Sequence, residues 1–159
     1  MEKGMIILGI DPGLQVCGYA VVRSVGGRVE LVEAGVFRTD AEKTLAKRLT
    51  QLGGDMDVVL SAHRPDKVAA EELYAHYKHP RTAILMGHAR GVLLERAARA
   101  GAKVESYAAT RIKKSLTGNG RAGKMQMQRA IQSMLGLPKL PEPADVADAI
   151  AVAICAANN

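Results

Sequence analysis

MIILGIDPGLQVCGYAVV, residues 5–22, places two continuous apolar runs of strand length on either side of the turn formers Pro12 and Gly13. That arrangement predicts a β-hairpin whose first strand ends at Asp11. Gly26-Gly27 then turns the chain into residues 28–38, and the β-branched content there predicts a third strand. Thr39 and Glu42 stand at capping-box spacing, and Leu45, Leu49, Leu52, Met56 and Leu60 follow at helical intervals. An amphipathic helix is expected there, weakened at Gly53-Gly54. Beyond Pro65, residues 67–71 read as a short strand, 81–100 as a helix ended by Gly101, and 103–107 as a fifth strand. Residues 110–116, 124–135 and 144–157 read as helices. The pattern predicts an α/β fold in which a five-stranded mixed sheet is flanked by helices.

The length of 159 residues suits a single domain, residues 1–159, that buries roughly 70% of its unfolded surface around one core. No apolar run approaches the roughly 20 residues of a membrane span, which excludes a helical membrane protein as the expected class. Residues 1–10 are too short and too strand-like for a signal peptide, and the two cysteines, Cys17 and Cys155, lie inside apolar stretches. Reduced buried thiols in a cytoplasmic protein are the expectation. The net charge of +6 favours a polyanionic partner through steering and counterion release.

Four carboxylates carry most of the chemical information: Asp11 in GIDPG, Glu71 in VAAEELY, and Asp145 and Asp148 in ADVADAIAVAI. Each has an ordinary structural reading. Asp-Pro-Gly is common turn chemistry, Glu71 could be a solvated strand end, and acids in the first turns of a helix entered through Pro141 and Pro143 favourably meet its dipole. Glu72 offers the chemistry of Glu71 on the opposite face of the pleat, and spacing alone leaves that choice open. The combination is more informative. Asp11 and Glu71 each end a strand, and Asp145 and Asp148, at i and i+3, share a helical face that could cross the same sheet edge. Gathered carboxylates repel one another unless a cation neutralises them, and hard oxygen donors suit magnesium. A metal-dependent phosphodiester-cutting nuclease is the expected class, with two ions clamping the attacking and leaving oxygens.

GIDPG at 9–13, VAAEELY at 68–74, GHARGV at 87–92, YAATRIKKSLTGNGRAGKMQMQ at 107–128 and ADVADAIAVAI at 144–154 together resemble the bacterial Holliday-junction resolvases of the RuvC family. The blocks follow the family order and span nearly the whole chain. The resemblance implies an RNase H-like fold, a homodimer, and paired symmetric nicking of four-way DNA junctions with magnesium, for which manganese substitutes. It places Asp11, Glu71, Asp145 and Asp148 on the four catalytic, metal-binding positions, and so favours Glu71 over Glu72. It also implies a branch-migration motor of the RuvA and RuvB type as a partner. His88, Gly123 and Tyr74 stand where the family more often carries Gln, a polar or acidic residue, and Phe. None of these departures touches a proposed metal ligand.

Arg111, Lys113, Lys114, Arg121 and Lys124 cluster around TGNG, a glycine-broken turn able to approach a DNA backbone closely. A solvated basic face is the bland account, and phosphate contact is the functional one. By the resemblance, Lys113 and Lys124 match basic residues that act near the scissile phosphate, where they would offset transition-state charge. Tyr74 opens the segment YAHYKHP, where the resemblance expects an aromatic residue that stacks on an unpaired base; a Tyr packed at a strand exit is the alternative. Lys78 and Arg81 are expected to touch phosphates. His76 and His79 have zinc-like spacing but too few partner ligands. On the helix over residues 81–100, Leu85, Ala89 and Val92 form one apolar stripe and Met86, Leu93 and Ala97 another, which suits either a core helix or a two-fold interface.

Three other classes compete. An actin-like ATPase can open with a similar strand and turn, but it needs two such domains. An RNase H-like nuclease acting on structured RNA and a catalytically silent junction binder share more of the pattern, and the intact carboxylate set argues against silence.

Overall fold

The computed structural model describes residues 2–73 and 78–159. In chain order the elements are β1 (Met5–Asp11), β2 (Val16–Val25), β3 (Arg28–Arg38), α1 (Leu45–His63), β4 (Lys67–Glu71), α2 (Pro80–Arg99), β5 (Lys103–Tyr107), α3 (Ala109–Thr117), α4 (Lys124–Leu135) and α5 (Ala144–Ala157). The strands form one sheet in the order β3-β2-β1-β4-β5. β1 pairs antiparallel with β2 and parallel with β4, and β4 pairs parallel with β5. The hairpin and the mixed sheet follow the sequence expectation.

Pleating assigns the faces. Leu8, Ile10, Val21, Val68 and Ala70 join Leu52, Met56, Ala89 and Leu93 in a core beneath α1 and α2. Ile7, Ala20, Val22 and Ala69 join nearly the whole of α5, with Tyr107, Ile112 and Ile131, in a second core on the other face. The sequence suggested one core, whereas the sheet separates two. α5 is apolar all round because the sheet lies on one side of it and α3 and α4 on another.

Three local readings are corrected. Thr39 and Glu42 do not cap α1; the helix begins later, and the Thr44 hydroxyl accepts from the Lys47 amide at 3.3 Å. The physical reason is a competing turn, in which Asp40 accepts the amides of Glu42 through its side chain at 2.9 Å and of Lys43 through its carbonyl at 3.1 Å. Gly53-Gly54 does not weaken α1 visibly, since Gly53 is where α2 crosses: a Cβ there would stand 2.8 Å from the Arg96 guanidinium. The helix expected from Arg81 starts at Pro80, a residue suited to the first helical turn because it has no amide to leave unsatisfied. Along α2 a single stripe, Ala89, Leu93 and Ala97, is fully buried, and Ile84 is 61% exposed. Among the described residues no helix is long and apolar enough to cross a membrane.

Candidate active site

Parity along the two central strands decides which carboxylates meet. Ile7 and Gly9 face α5, so Asp11, two residues on, points to the same side. On β4, Lys67 and Ala69 face α5, so Glu71 does too, and Glu72 falls on the opposite parity, exposed, with its amide donating to the Tyr107 carbonyl at 2.8 Å. Because β1 and β4 are parallel neighbours, Asp11 and Glu71 end at the same edge of the sheet.

The first turns of α5 are pressed against that edge by two glycines. A Cβ on Gly18, which pairs with Asp11 across the hairpin, would stand 2.0 Å from the Asp145 carbonyl oxygen. A Cβ on Gly9 would stand 2.2 Å from the Ala149 carbonyl oxygen. Only glycine permits this approach, and it delivers Asp145 and Asp148 to Asp11.

The electrostatics report the convergence. Burial pushes the Asp11 carboxyl up to about 8, and Asp148, Asp145 and Glu71 push in the same direction. Glu71 is raised by burial and by Asp148, against the opposing pull of Lys113. Asp148, at the exposed rim, is raised by the packing around it and by Asp145, against the pull of Lys124. Lys113 and Lys124 thus stand beside different carboxylates. Both line a cavity of about 350 Å³ that Glu71 and Asp148 also border and that Gln128 closes from α4.

These carboxyls are gathered but open: among the described residues no group of three or more His, Cys, Asp or Glu side chains is closed into a metal-binding cluster. The donor set nevertheless fits a hard divalent cation. Four carboxyl groups would offer oxygen ligands, and three of them are raised by the mutual repulsion and burial that a cation would relieve.

The remaining candidates divide. Arg121 and Lys114 are exposed on the basic segment, where the Thr117 hydroxyl donates to the Lys113 carbonyl at 2.8 Å and Gly118 takes a positive φ of 77°. Arg111 is not brought to the carboxylates; its guanidinium lies 5.0 Å over the Tyr107 ring and reaches the Asn159 side chain at the far end of α5. Lys78 and Arg81 are exposed at the entry to α2. Tyr74 and His76 lie outside the described residues, and His79 is the exposed N-cap of α2.

One residue beside the site had drawn no individual attention in the sequence. Arg90, inside GHARGV, borders the space next to Asp11 and Glu71, and its Nη2 donates to the Ser106 hydroxyl at 2.6 Å. Its Nε is buried without a partner among the described residues. The available signal was an arginine next in sequence to Ala89, a member of the buried stripe of α2.

Comparison with known proteins agrees with this geometry. The family model described as crossover junction endodeoxyribonuclease RuvC matches residues 7–156. The crossover junction endodeoxyribonuclease RuvC of Rhodopirellula baltica is 52% identical over 156 residues, covering 96% of this chain and 88% of that protein. Its counterpart from Heliobacterium modesticaldum is 43% identical, covering 98% and 95%. The T. thermophilus RuvC solved in complex with a Holliday junction substrate superposes with a TM-score of 0.89 at 32% identity, covering 95% of this chain and 92% of that one. The yeast mitochondrial Holliday junction resolvase Ydc2, at 13% identity and a TM-score of 0.69, shares the fold. With the strand-end and α5 carboxylates at one sheet edge and this match across nearly its whole length, the chain belongs to the RuvC family of crossover junction endodeoxyribonucleases.

Proposed function

We propose that this chain resolves four-way DNA junctions by paired symmetric nicks, as a single nuclease domain over residues 1–159 working in a homodimer in the cytoplasm. The observation that supports the reading most is the position of Asp11, whose carboxyl feels Asp148, Asp145 and Glu71 at once. Those four side chains would hold two magnesium ions, with manganese able to substitute. Bound there, the cations supply charge neutralisation and Lewis acidity at the reacting phosphate.

The chain's own groups account for the rest. Asp11 gives up its proton when the site is loaded, because a cation favours the carboxylate that burial and repulsion disfavour. Lys113 and Lys124, flanking the cavity from α3 and from the first turn of α4, place two positive charges where the phosphoryl group gains negative charge. Lys114, Arg121, Lys78 and Arg81, exposed around the same edge, and Arg111 farther along α3 are assigned to phosphates along the arms, and Tyr74 to stacking at the junction centre.

Two symmetric cuts need two such sites related by a two-fold axis, so a second copy of the chain is part of the proposal. α2, with Ile84 exposed, is the surface assigned to it. A branch-migration motor of the RuvA and RuvB type is the expected partner complex. The test is to incubate the protein with a labelled four-way junction, a linear duplex and a structured RNA, in magnesium and in EDTA. Symmetric, ligatable nicks in the junction alone, dependent on magnesium, are expected. Preferential cutting of RNA, or binding without any cutting, would overturn the reading.

A further inference from the structure

A groove of about 500 Å³ leads from Asp11 and Asp145 between the start of α1 and the start of α2, and Arg48 forms part of its wall. This half-buried arginine lies outside the basic segment around TGNG and outside the carboxylate cavity. Its Nε donates to the Thr39 hydroxyl at 3.0 Å, and that hydroxyl in turn donates to the Leu14 carbonyl at 2.5 Å. The Thr39 amide also donates to the Gln15 carbonyl, at 3.3 Å. The guanidinium is therefore tied to the turn that follows Asp11. Among the described residues its Nη groups make no hydrogen bond and no carboxylate pairs with it.

A guanidinium held at Nε, with its other edge free, is ordered before any ligand arrives, so little side-chain freedom is lost when it binds an anion. The anion has to share the groove with two carboxylates, which argues against a small free anion and for one held in place by a larger molecule. A nucleic-acid strand whose reacting phosphate sits at Asp11 supplies such a group one or two phosphates away. On the opposite flank of the carboxylates, Lys113 and Lys124 already provide positive charge.

We propose that Arg48 forms a phosphate-binding subsite for the DNA strand on the side of the carboxylates away from Lys113 and Lys124. The proposal rests on the nuclease reading above and adds a binding residue to it. Arg48 on one side and Lys113 and Lys124 on the other thereby hold the strand across the reacting phosphate, and Thr39 acts as the positioning residue of Arg48.

The experiment is equilibrium binding of a labelled four-way junction and of a linear duplex in EDTA, across a salt series, for the wild-type chain, Arg48→Ala, Arg48→Gln and Thr39→Val. Loss of one phosphate contact should reduce the slope of log affinity against log salt by about 0.9 and weaken binding roughly tenfold near 0.1 M salt. Both Arg48 variants should show this; Arg48→Gln keeps a donor for Thr39 and decides the matter if Arg48→Ala unfolds. Thr39→Val keeps the charge and should keep the slope. Wild-type slopes in both Arg48 variants would overturn the subsite and leave the nuclease reading standing. A wild-type chain with no preference for the junction over duplex would overturn junction selectivity, while the slopes on duplex still decide the subsite.

Discussion

Gly18 on β2 lies so close to the first turn of α5 that a Cβ there would stand 2.0 Å from the carbonyl oxygen of Asp145. The contact is backbone against backbone, so no side chain can swing aside to relieve it. Gly18→Ala should therefore displace the start of α5 and cost about 1–3 kcal/mol or more. Thermal melting checks the stability loss, at roughly 2–4 °C per kcal/mol for a chain of this size. Because a displacement near 1 Å at a reacting centre costs about 100-fold, cleavage by the folded fraction should fall by about that factor.

Asp11 contributes a pH-dependent stability difference to the metal-free protein. Its carboxyl is raised from 3.8 to about 8 in the fold, so the native state binds a proton that the unfolded chain releases. Its contribution to stability is full below about pH 4 and is lost as pH rises through about 8. Asp11→Asn is neutral at every pH. In EDTA the variant should melt with the wild type near pH 4 and progressively above it toward pH 8. Magnesium should raise the wild-type melting temperature at pH 8 and leave Asp11→Asn nearly unmoved.

Lys124 opposes the rise in the Asp148 carboxyl, and Lys113 opposes the rise in that of Glu71. Charges this close to the proposed metal ligands should act on the reaction more than on affinity for the arms. Lys124→Ala is expected to lower single-turnover cleavage by about 100-fold and junction affinity by less than about fivefold. Equal losses in both would make Lys124 a plain phosphate anchor.

At the other end of α5, Lys67 is buried and donates to the Ala156 and Asn159 carbonyls at 3.1 and 3.2 Å, with Glu105 at 3.3 Å. Lys67→Met should destabilise by about 1–3 kcal/mol, since it removes the buried ammonium and its hydrogen bonds from β4 to the end of α5. Urea titration checks this, and cleavage by the folded fraction should change little.

Much of this organisation was legible in the residues. Strand-length apolar runs located β1, β2 and β4, and strand ends at Asp11 and Glu71 followed from the turn residues beyond them. Alternation also held the answer to Glu71 against Glu72, but only once Ala69 and Val68 were known to face different cores. The start of α1 was misread because Thr39 and Thr44 both look like caps, and the Asp40 turn that separates them depends on local hydrogen bonds that spacing does not encode. The roles of Gly9 and Gly18 were hidden as well, since a glycine in a strand gives no sign of which helix crosses it. Arg48 was unremarkable in a run of charged helix residues, and it gains meaning from Thr39 and Leu14, which lie far from it along the chain.

The central claim is that Asp11 serves the chemistry and not the grip on DNA. The most direct measurement is cleavage of a labelled four-way junction in magnesium by Asp11→Asn, beside junction binding by the same protein in EDTA. The account predicts loss of cleavage by more than about 1,000-fold with binding within about threefold of wild type. Cleavage within tenfold of wild type would contradict it.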